Sequence, residues 1–349
     1  MATNETVSHT KYVTYAQHVA QLGFISTTFT CLILIYLTVF EVKRNFGSYK
    51  YFLVSFPVFG MVFATSEVVL YLNVFSHNAG YLYYSTSHPF NLGTFWVDWL
   101  LVFYAGVYAL TISMIAIQFV YRYWAIFSDK KLSLFKGWKF LFSLFYSLFF
   151  GLLWSIGMFY FCKIDEYSRS YFAKDLLLKY KIDISEIAGM ALVAYNADGS
   201  IRWRNSSCTL NMTLIMLIQY SIIIYCAVRM YHDMESKLQL LSASLRNLHK
   251  QFFKTLILQI VTPTIILFSP VMLIIYLPFF DLEVSLPTGI FLCALTTYPA
   301  LDACIVTYVV QDYRNAAKHM LIRELDRVRS WLAPSREAHD APTQTGITD

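Results

Sequence analysis

Charge is scarce in this chain. Asp, Glu, Lys and Arg make up only 14% of its 349 residues, against about 25% in an ordinary globular protein, too little to clothe a soluble surface of this size. The net charge of +5 is spread thinly between long apolar runs and forms no basic patch, so nucleic acid is not an expected partner. Six cysteines in so long a chain, with no CxxC among them, do not make a disulfide scaffold. HExxH, GxGD, Walker and GxSxG patterns are all missing. His18, His77, His88, His232 and His249 are scattered without metal-ligand spacing. No enzyme, metal or cofactor is therefore expected. The missing internal repeat argues against an inverted-repeat transporter. Residues 1–15 lack a basic region followed by a short apolar core and a cleavage site. The first apolar run is thus expected to act as its own insertion signal.

What the chain has in abundance is apolar surface: 57% hydrophobic and 18% aromatic residues, with a mean hydropathy of +0.50. A membrane span needs about 20 mostly apolar residues, and seven runs qualify: 19–40, 51–72, 95–119, 138–162, 210–228, 252–277 and 288–310. In lipid every backbone N–H and C=O must be satisfied within the segment. Runs this dense are therefore helices, and the alternating ten-residue segments of a β-barrel are absent. The fold class is an all-α membrane protein, a seven-transmembrane helix bundle spanning 19–310.

Lysine and arginine set the expected sidedness. The 43–50, 122–139 and 229–254 connections and the tail hold nineteen of them, and the other connections hold eight. Seven of those eight lie in the 163–209 loop, diluted by six acids. The positive-inside rule puts the N-terminal tail, 1–18, outside and the C-terminus in the cytoplasm. Sequons at Asn4 and Asn205 fall on the expected outer side as glycosylation sites, while a third at Asn211 sits too near the fifth span to count. Within the outer loop 163–209, residues 170–179 read as an amphipathic helix capped by Ser168 or Ser170. Residues 191–195 and 200–203 read as a hairpin around Asn196-Ala197-Asp198-Gly199. The loop is either a folded lid or a solvated connector. Cys162 and Cys208 bracket it, and a disulfide between them would close it. The inner loop 229–251 repeats leucine at helical spacing and continues a span into the cytoplasm. Residues 311–332 form an amphipathic juxtamembrane helix with Arg314, Lys318, Arg323 and Arg327 suited to anionic lipid, and 333–349 is a disordered tail.

An ionisable group within a span costs about 2.5–3.5 kcal/mol at the bilayer centre by insertion scales. Glu67 and Asp98 lie near the outer ends of the second and third spans, either as ligand contacts or lid anchors, or as hydrogen-bonded structural acids. Asp302, deep in the seventh span, suits a polar network. Pro57, Pro263, Pro270 and Pro299 interrupt spans, and the sixth holds two of them, which makes it the lever for a swing or simply a curved helix. No mid-helix lysine in the seventh span offers a retinal Schiff base.

Four stretches narrow the reading: GSYKYFLVSFPVF (47–59), FVYRYWAI (119–126), LHKQFFKTLILQIVTPTI (248–265) and YPALDACIVTYVVQDYR (298–314). With the long second outer loop and its DG-x-x-RW element, they resemble the nematode seven-transmembrane chemoreceptors of the Str family, from about residue 23 to 314. The resemblance implies a G-protein-coupled olfactory receptor in the plasma membrane, at the cilia of chemosensory neurons. Its expected partners are a small-molecule odorant, a heterotrimeric G protein and the bilayer, with homo- or hetero-oligomers left open. Arg122 then matches the arginine that ends the third helix of rhodopsin-like receptors and touches the G protein. It lies between Tyr121 and Tyr123, so the usual preceding acid is missing. Tyr123, Arg246, Lys250 and the 128–137 loop share that surface. Pro299 and Asp302 form a polar hinge in the seventh helix, although the order differs from NPxxY. The third span opens without a cysteine, so Cys208 pairs with Cys162 or stays free. Small apolar ligands favour concave sites with few polar groups, and Glu67, Asp98, Tyr104, Tyr108 and Gln219 are the candidate contacts. The reading from another class is a ligand-gated cation channel built like insect odorant receptors, which requires the opposite orientation.

Overall fold

A computed structural model of the protein describes residues 9–42, 47–238, 257–282, 285–286 and 288–332. Asn4, Arg246 and Lys250 lie outside the described residues. Seven helices among them are long and apolar enough to cross a membrane: Lys11–Glu41, Tyr49–Leu70, Thr94–Phe127, Gly137–Phe161, Trp203–His232, Ile257–Phe280 and Gly289–Val309. They occur in the expected order, and the first, third and fifth helices outrun their apolar stretches by two to three turns. A further helix, Gln311–Leu332, follows the seventh span and docks through Tyr313, whose hydroxyl pairs with Thr38 Oγ1 of the first span at 3.0 Å.

The third span is the axis of the bundle. It is apolar on every side, as a helix surrounded by others must be, and its middle from Val107 to Ala116 is buried throughout. The fourth span approaches it without intervening side chains: a Cβ at Gly151 would stand 2.9 Å from the Gly106 carbonyl oxygen. One turn on, Ser155 Oγ donates to the Val102 carbonyl at 3.0 Å. Small residues at such a crossing let dispersion forces and weak polar contacts hold helices that gain nothing from hydrophobicity in lipid.

One end of the bundle carries a feature that the sequence reading does not contain, a four-stranded antiparallel sheet. Strands β1 (Leu72–His77), β2 (Gly80–Ser85), β3 (Ala188–Val193) and β4 (Ser285–Leu286) lie in the order β3-β2-β1-β4. The two-residue turn between β1 and β2 places Asn78 at φ 45°, a left-handed conformation that asparagine tolerates. Both faces of the sheet are covered. Leu72, Val74, Tyr81, Tyr83, Ala188, Met190 and Leu192 face the bundle core. Phe75, Leu82, Tyr84, Ala191 and Val193 pack on a lid helix, Glu166–Tyr180, through Phe172, Leu176 and Tyr180. The 163–209 segment is thus a folded lid.

Two local expectations need correction. The hairpin expected over 191–203 reduces to a turn around Gly199 and a single bridge, Tyr195 with Ile201, because residues 188–193 pair with β2 instead. The lid helix begins earlier than expected and is capped by Asp165, whose carboxylate accepts the Ser168 amide at 2.8 Å. Arg202, the arginine of the DG-x-x-RW element, binds that same carboxylate and lies over the Tyr167 ring with its guanidinium 4.7 Å from the centroid. Charge pairing and ring stacking together tie the last turn of the loop to the first turn of the lid helix.

His77, at the end of β1, sits 3.1 Å from Asp175 of the lid helix, beside Lys179 and against the rings of Phe75 and Tyr171. Burial holds its imidazole below the ordinary histidine range, against the pull of the Asp175 carboxylate and with help from Lys179. A base whose folded value is depressed takes up protons more readily once unfolded, so its contribution is complete above the unfolded value of about 6.5 and is lost as pH falls below it. The thermal midpoint in detergent is therefore expected to drop between pH 7.5 and 5.5, with a shallower drop in His77→Gln; an unchanged slope in the variant would remove His77 from the account.

Candidate functional site

Beneath the sheet, the bundle encloses a cavity of about 60 Å³ walled by Tyr81, Tyr83, Tyr104, Tyr108, Trp154 and Met158 and closed by Met212, Val271 and Leu292. Tyrosines supply rigid amphipathic walls, and two methionines give that wall room to yield. That space has room for a few water molecules, whereas small-molecule sites usually run to about 300–1,000 Å³. A ligand of odorant size would have to displace these side chains.

Of the candidate contacts, Tyr104 and Tyr108 line this cavity. Glu67 lies immediately behind Tyr104, fully buried. Its Oε1 accepts from Cys293 Sγ at 3.2 Å. Its Oε2 faces the Tyr104 hydroxyl, and neither atom meets any other partner. A buried donor and acceptor depend on each other at such a place, and the pair stands at the wall of this cavity. Asp98 is not in the wall: its carboxylate accepts the Gly189 amide at 2.8 Å and anchors β3 to the third span. Gln219 lies between the fourth and fifth spans, where its Oε1 accepts the Tyr146 hydroxyl at 3.0 Å while its Nε2 stays unpartnered.

The sixth span connects the cavity to the opposite end of the bundle. Pro263 and Pro270 flank a π-helical turn, Thr264–Phe268, the kind of local widening that prolines leave when ladder hydrogen bonds are lost. The Tyr108 hydroxyl donates to the Leu267 carbonyl inside that turn at 3.0 Å. A cavity side chain is thereby bonded to the backbone of the hinge.

Two turns further along the same span, Gln259 is buried at the centre of a polar network. Its Nε2 donates to Asp302 Oδ1 at 2.8 Å, and its Oε1 accepts from Arg122. Arg122 also donates to the Tyr49 hydroxyl and lies over the Tyr49 ring, 5.3 Å from the centroid. Spans two, three, six and seven are thus joined through four side chains. Gln259 and Tyr49 were not singled out in the sequence, although each lies inside one of the four quoted stretches. Nothing in a lone glutamine or tyrosine near a span end marks it as a relay until the partner is seen. Pro299 begins the regular part of the seventh span after the 3₁₀ turn Leu295–Thr297, with its ring packed on Gly60. Tyr123 stacks against Phe127 and Tyr225, turned away from the network.

Asn205 does not have the setting of a glycan acceptor. It is 2% exposed, and its Nδ2 donates to the carbonyls of Phe161 and Ala191 at 3.1 and 3.2 Å. The nitrogen that would carry the sugar instead clamps the fourth span to β3. Cys162 and Cys208, at the ends of the fourth and fifth spans, are both fully buried free thiols.

A family model described as the serpentine type 7TM GPCR chemoreceptor Str matches residues 16–318, nearly the whole described bundle. The chain belongs to the Str family of chemoreceptors. Among curated relatives, it is 36% identical to the G-protein coupled receptor str-33 of Caenorhabditis elegans, over 87% of this chain and 90% of the relative. It is 26% identical to the serpentine receptor class r-10 of the same nematode, over 86% and 90%, and 24% identical to the class r-10 receptor of Caenorhabditis briggsae, over 88% and 91%. The receptor is therefore a multi-pass membrane protein of the chemoreceptor class of G-protein-coupled receptors.

Proposed function

We propose that this receptor binds a small, mostly apolar odorant in the cavity beneath the sheet and activates a heterotrimeric G protein at the Arg122 end of the bundle. In this reading the N-terminus and the lid face outward and the Gln311–Leu332 helix lies along the cytoplasmic leaflet, as the excess of lysine and arginine at the Arg122 end favours. The plasma membrane of sensory cilia is the expected location, by family resemblance.

The observation that carries the reading is the continuous chain of side-chain contacts through the sixth span. Tyr108 in the cavity wall holds the π-turn, and Gln259 on the same helix holds Arg122 and Asp302. A ligand that enlarges the cavity pushes on Tyr108 and biases the hinge. Displacing the hinge draws Gln259 away from Arg122, and the freed guanidinium, with its five donors on a long stem, becomes available at the mouth. The ligand's effect is bounded by its difference in affinity for the two arrangements.

The test is Arg122→Ala. Surface expression is expected to persist while odorant-evoked G-protein signal disappears; a full signal from the variant would overturn the coupling role. Epitopes on the N-terminus and after Asp349, stained in intact and permeabilised cells, check the orientation separately. An inside N-terminus would overturn it.

A further inference from the structure

We propose that Cys162 and Cys208 form a disulfide in the mature receptor, a covalent staple between the fourth and fifth spans at the lid end; the proposal rests on the outward orientation of that end. The two thiols lie near enough to interact, and the Tyr81 hydroxyl of the cavity wall lies beside them. Their approach is fixed by the backbone around them. Cys162 caps the fourth span, and its carbonyl accepts the Ala191 amide of β3 at 2.8 Å. Asn205, one turn before Cys208, bonds the Phe161 carbonyl next to Cys162 at 3.1 Å. One turn deeper, Gly157 lies so near Asn211 that a Cβ there would stand 3.1 Å from the Asn211 carboxamide carbon, and Asn211 Nδ2 donates to the Leu153 carbonyl at 3.3 Å, which holds the two helices together below the pair. The other buried cysteines differ: Cys31 and Cys226 lie about twenty residues from the start of their spans, and Cys293 is hydrogen-bonded to Glu67.

The chemistry balances by thiol–disulfide exchange. One of the two thiols loses its proton and attacks a low-molecular-weight disulfide such as oxidised glutathione, releasing one thiol. The second cysteine then attacks the mixed disulfide, forming the Cys162–Cys208 bond and releasing the other thiol. The pair loses two electrons, and the oxidant gains them. Because neither sulfur is exposed, the exchange belongs to folding in the oxidising lumen, before the lid closes. Afterwards the same burial shields the bond from reductant.

The experiment uses the full-length receptor from cells treated with membrane-permeant N-ethylmaleimide before lysis, then denatured and alkylated with a second, heavier reagent either with or without prior reduction. The expected result is four cysteines that take one or other reagent without reduction, two that take the heavy reagent only after reduction, and a Cys162–Cys208 linked peptide in the unreduced digest. Six cysteines labelled without reduction, or a linked peptide joining other residues, overturn the proposal. If the N-terminal epitope is outside when all six are labelled without reduction, the staple alone fails. If it is inside, the orientation fails with it.

Discussion

Gln259→Leu is expected to raise ligand-independent signalling by about tenfold or more, with surface expression close to that of the natural receptor. Leucine keeps the buried volume but deletes both bonds that join the sixth span to Arg122 and Asp302. Hydrogen bonds to charged groups contribute about 1.5–3 kcal/mol each, and each 1.4 kcal/mol shifts an equilibrium tenfold. Both losses fall on the resting arrangement, because only there does the glutamine lie between the two charges. Arg122 keeps the Tyr49 hydroxyl and the faces of Tyr49 and Phe119, so the cation is not stranded and the bundle should still fold. The measurement is basal G-protein activation per receptor at the surface, beside Gln259→Glu. The glutamate variant keeps an acceptor for Arg122 but places a second carboxylate against Asp302, so its basal activity should fall between the two. Basal activity in Gln259→Leu no higher than in the natural receptor would mean that the network is structural cement with no part in the resting state.

This network also shows where sequence reading reaches its limit. The spans were legible because hydrocarbon thickness imposes a length and a composition on each of them, and both can be counted. Arg122 was legible through the family resemblance, as the arginine that ends the third helix. Its role stayed half-read: with tyrosine in place of the usual preceding acid, nothing along the chain marked a latch. The structure supplies one from Gln259 and Asp302, more than 130 residues away in sequence, through a neutral amide that no charge pattern reveals. The sheet was hidden for a different reason. Strands buried on both faces lose the polar–apolar alternation that identifies a strand. Leu72–His77 and Gly80–Ser85 are buried almost throughout, so they read only as a connection between the second and third spans. The Asn-Ala-Asp-Gly turn drew attention precisely where only one bridge forms, since turn chemistry is local and strand pairing is not. Glu67 and Asp98 looked alike in sequence, each an acid near a span end. A backbone amide of β3 meets Asp98, and the Tyr104 hydroxyl meets Glu67. Only the packing separates an anchor from a candidate contact.

The larger structural effect is expected from Gly151→Leu, which should cut surface expression by on the order of tenfold or abolish it, while Gly199→Ala serves as the mild comparison. At Gly151 even the first carbon of a side chain would stand 2.9 Å from the Gly106 carbonyl and 3.3 Å from Leu110 Cβ. The obstacle is backbone on the axial helix, which cannot rotate aside as a side chain does. Overpacking a well-filled core costs about 1–3 kcal/mol when neighbours can adjust, and here the adjustment open to the protein is to part the third and fourth spans. Parting them removes the Ser155 bond to Val102 and pulls Trp154 away from Tyr108, whose rings meet edge to face at 5.4 Å. Damage at the crossing therefore reaches the cavity wall and, through the Tyr108 hydroxyl, the π-turn of the sixth span. Gly199, by contrast, has open space where a Cβ would go and meets only the strain of its φ of 78°. Ligand-free thermal stability of the purified receptor separates the two. A Gly151→Leu receptor that reaches the surface with an unchanged midpoint would show that the helices at this crossing can move apart without loss, and the account of the third span as a rigid axis would fall with it.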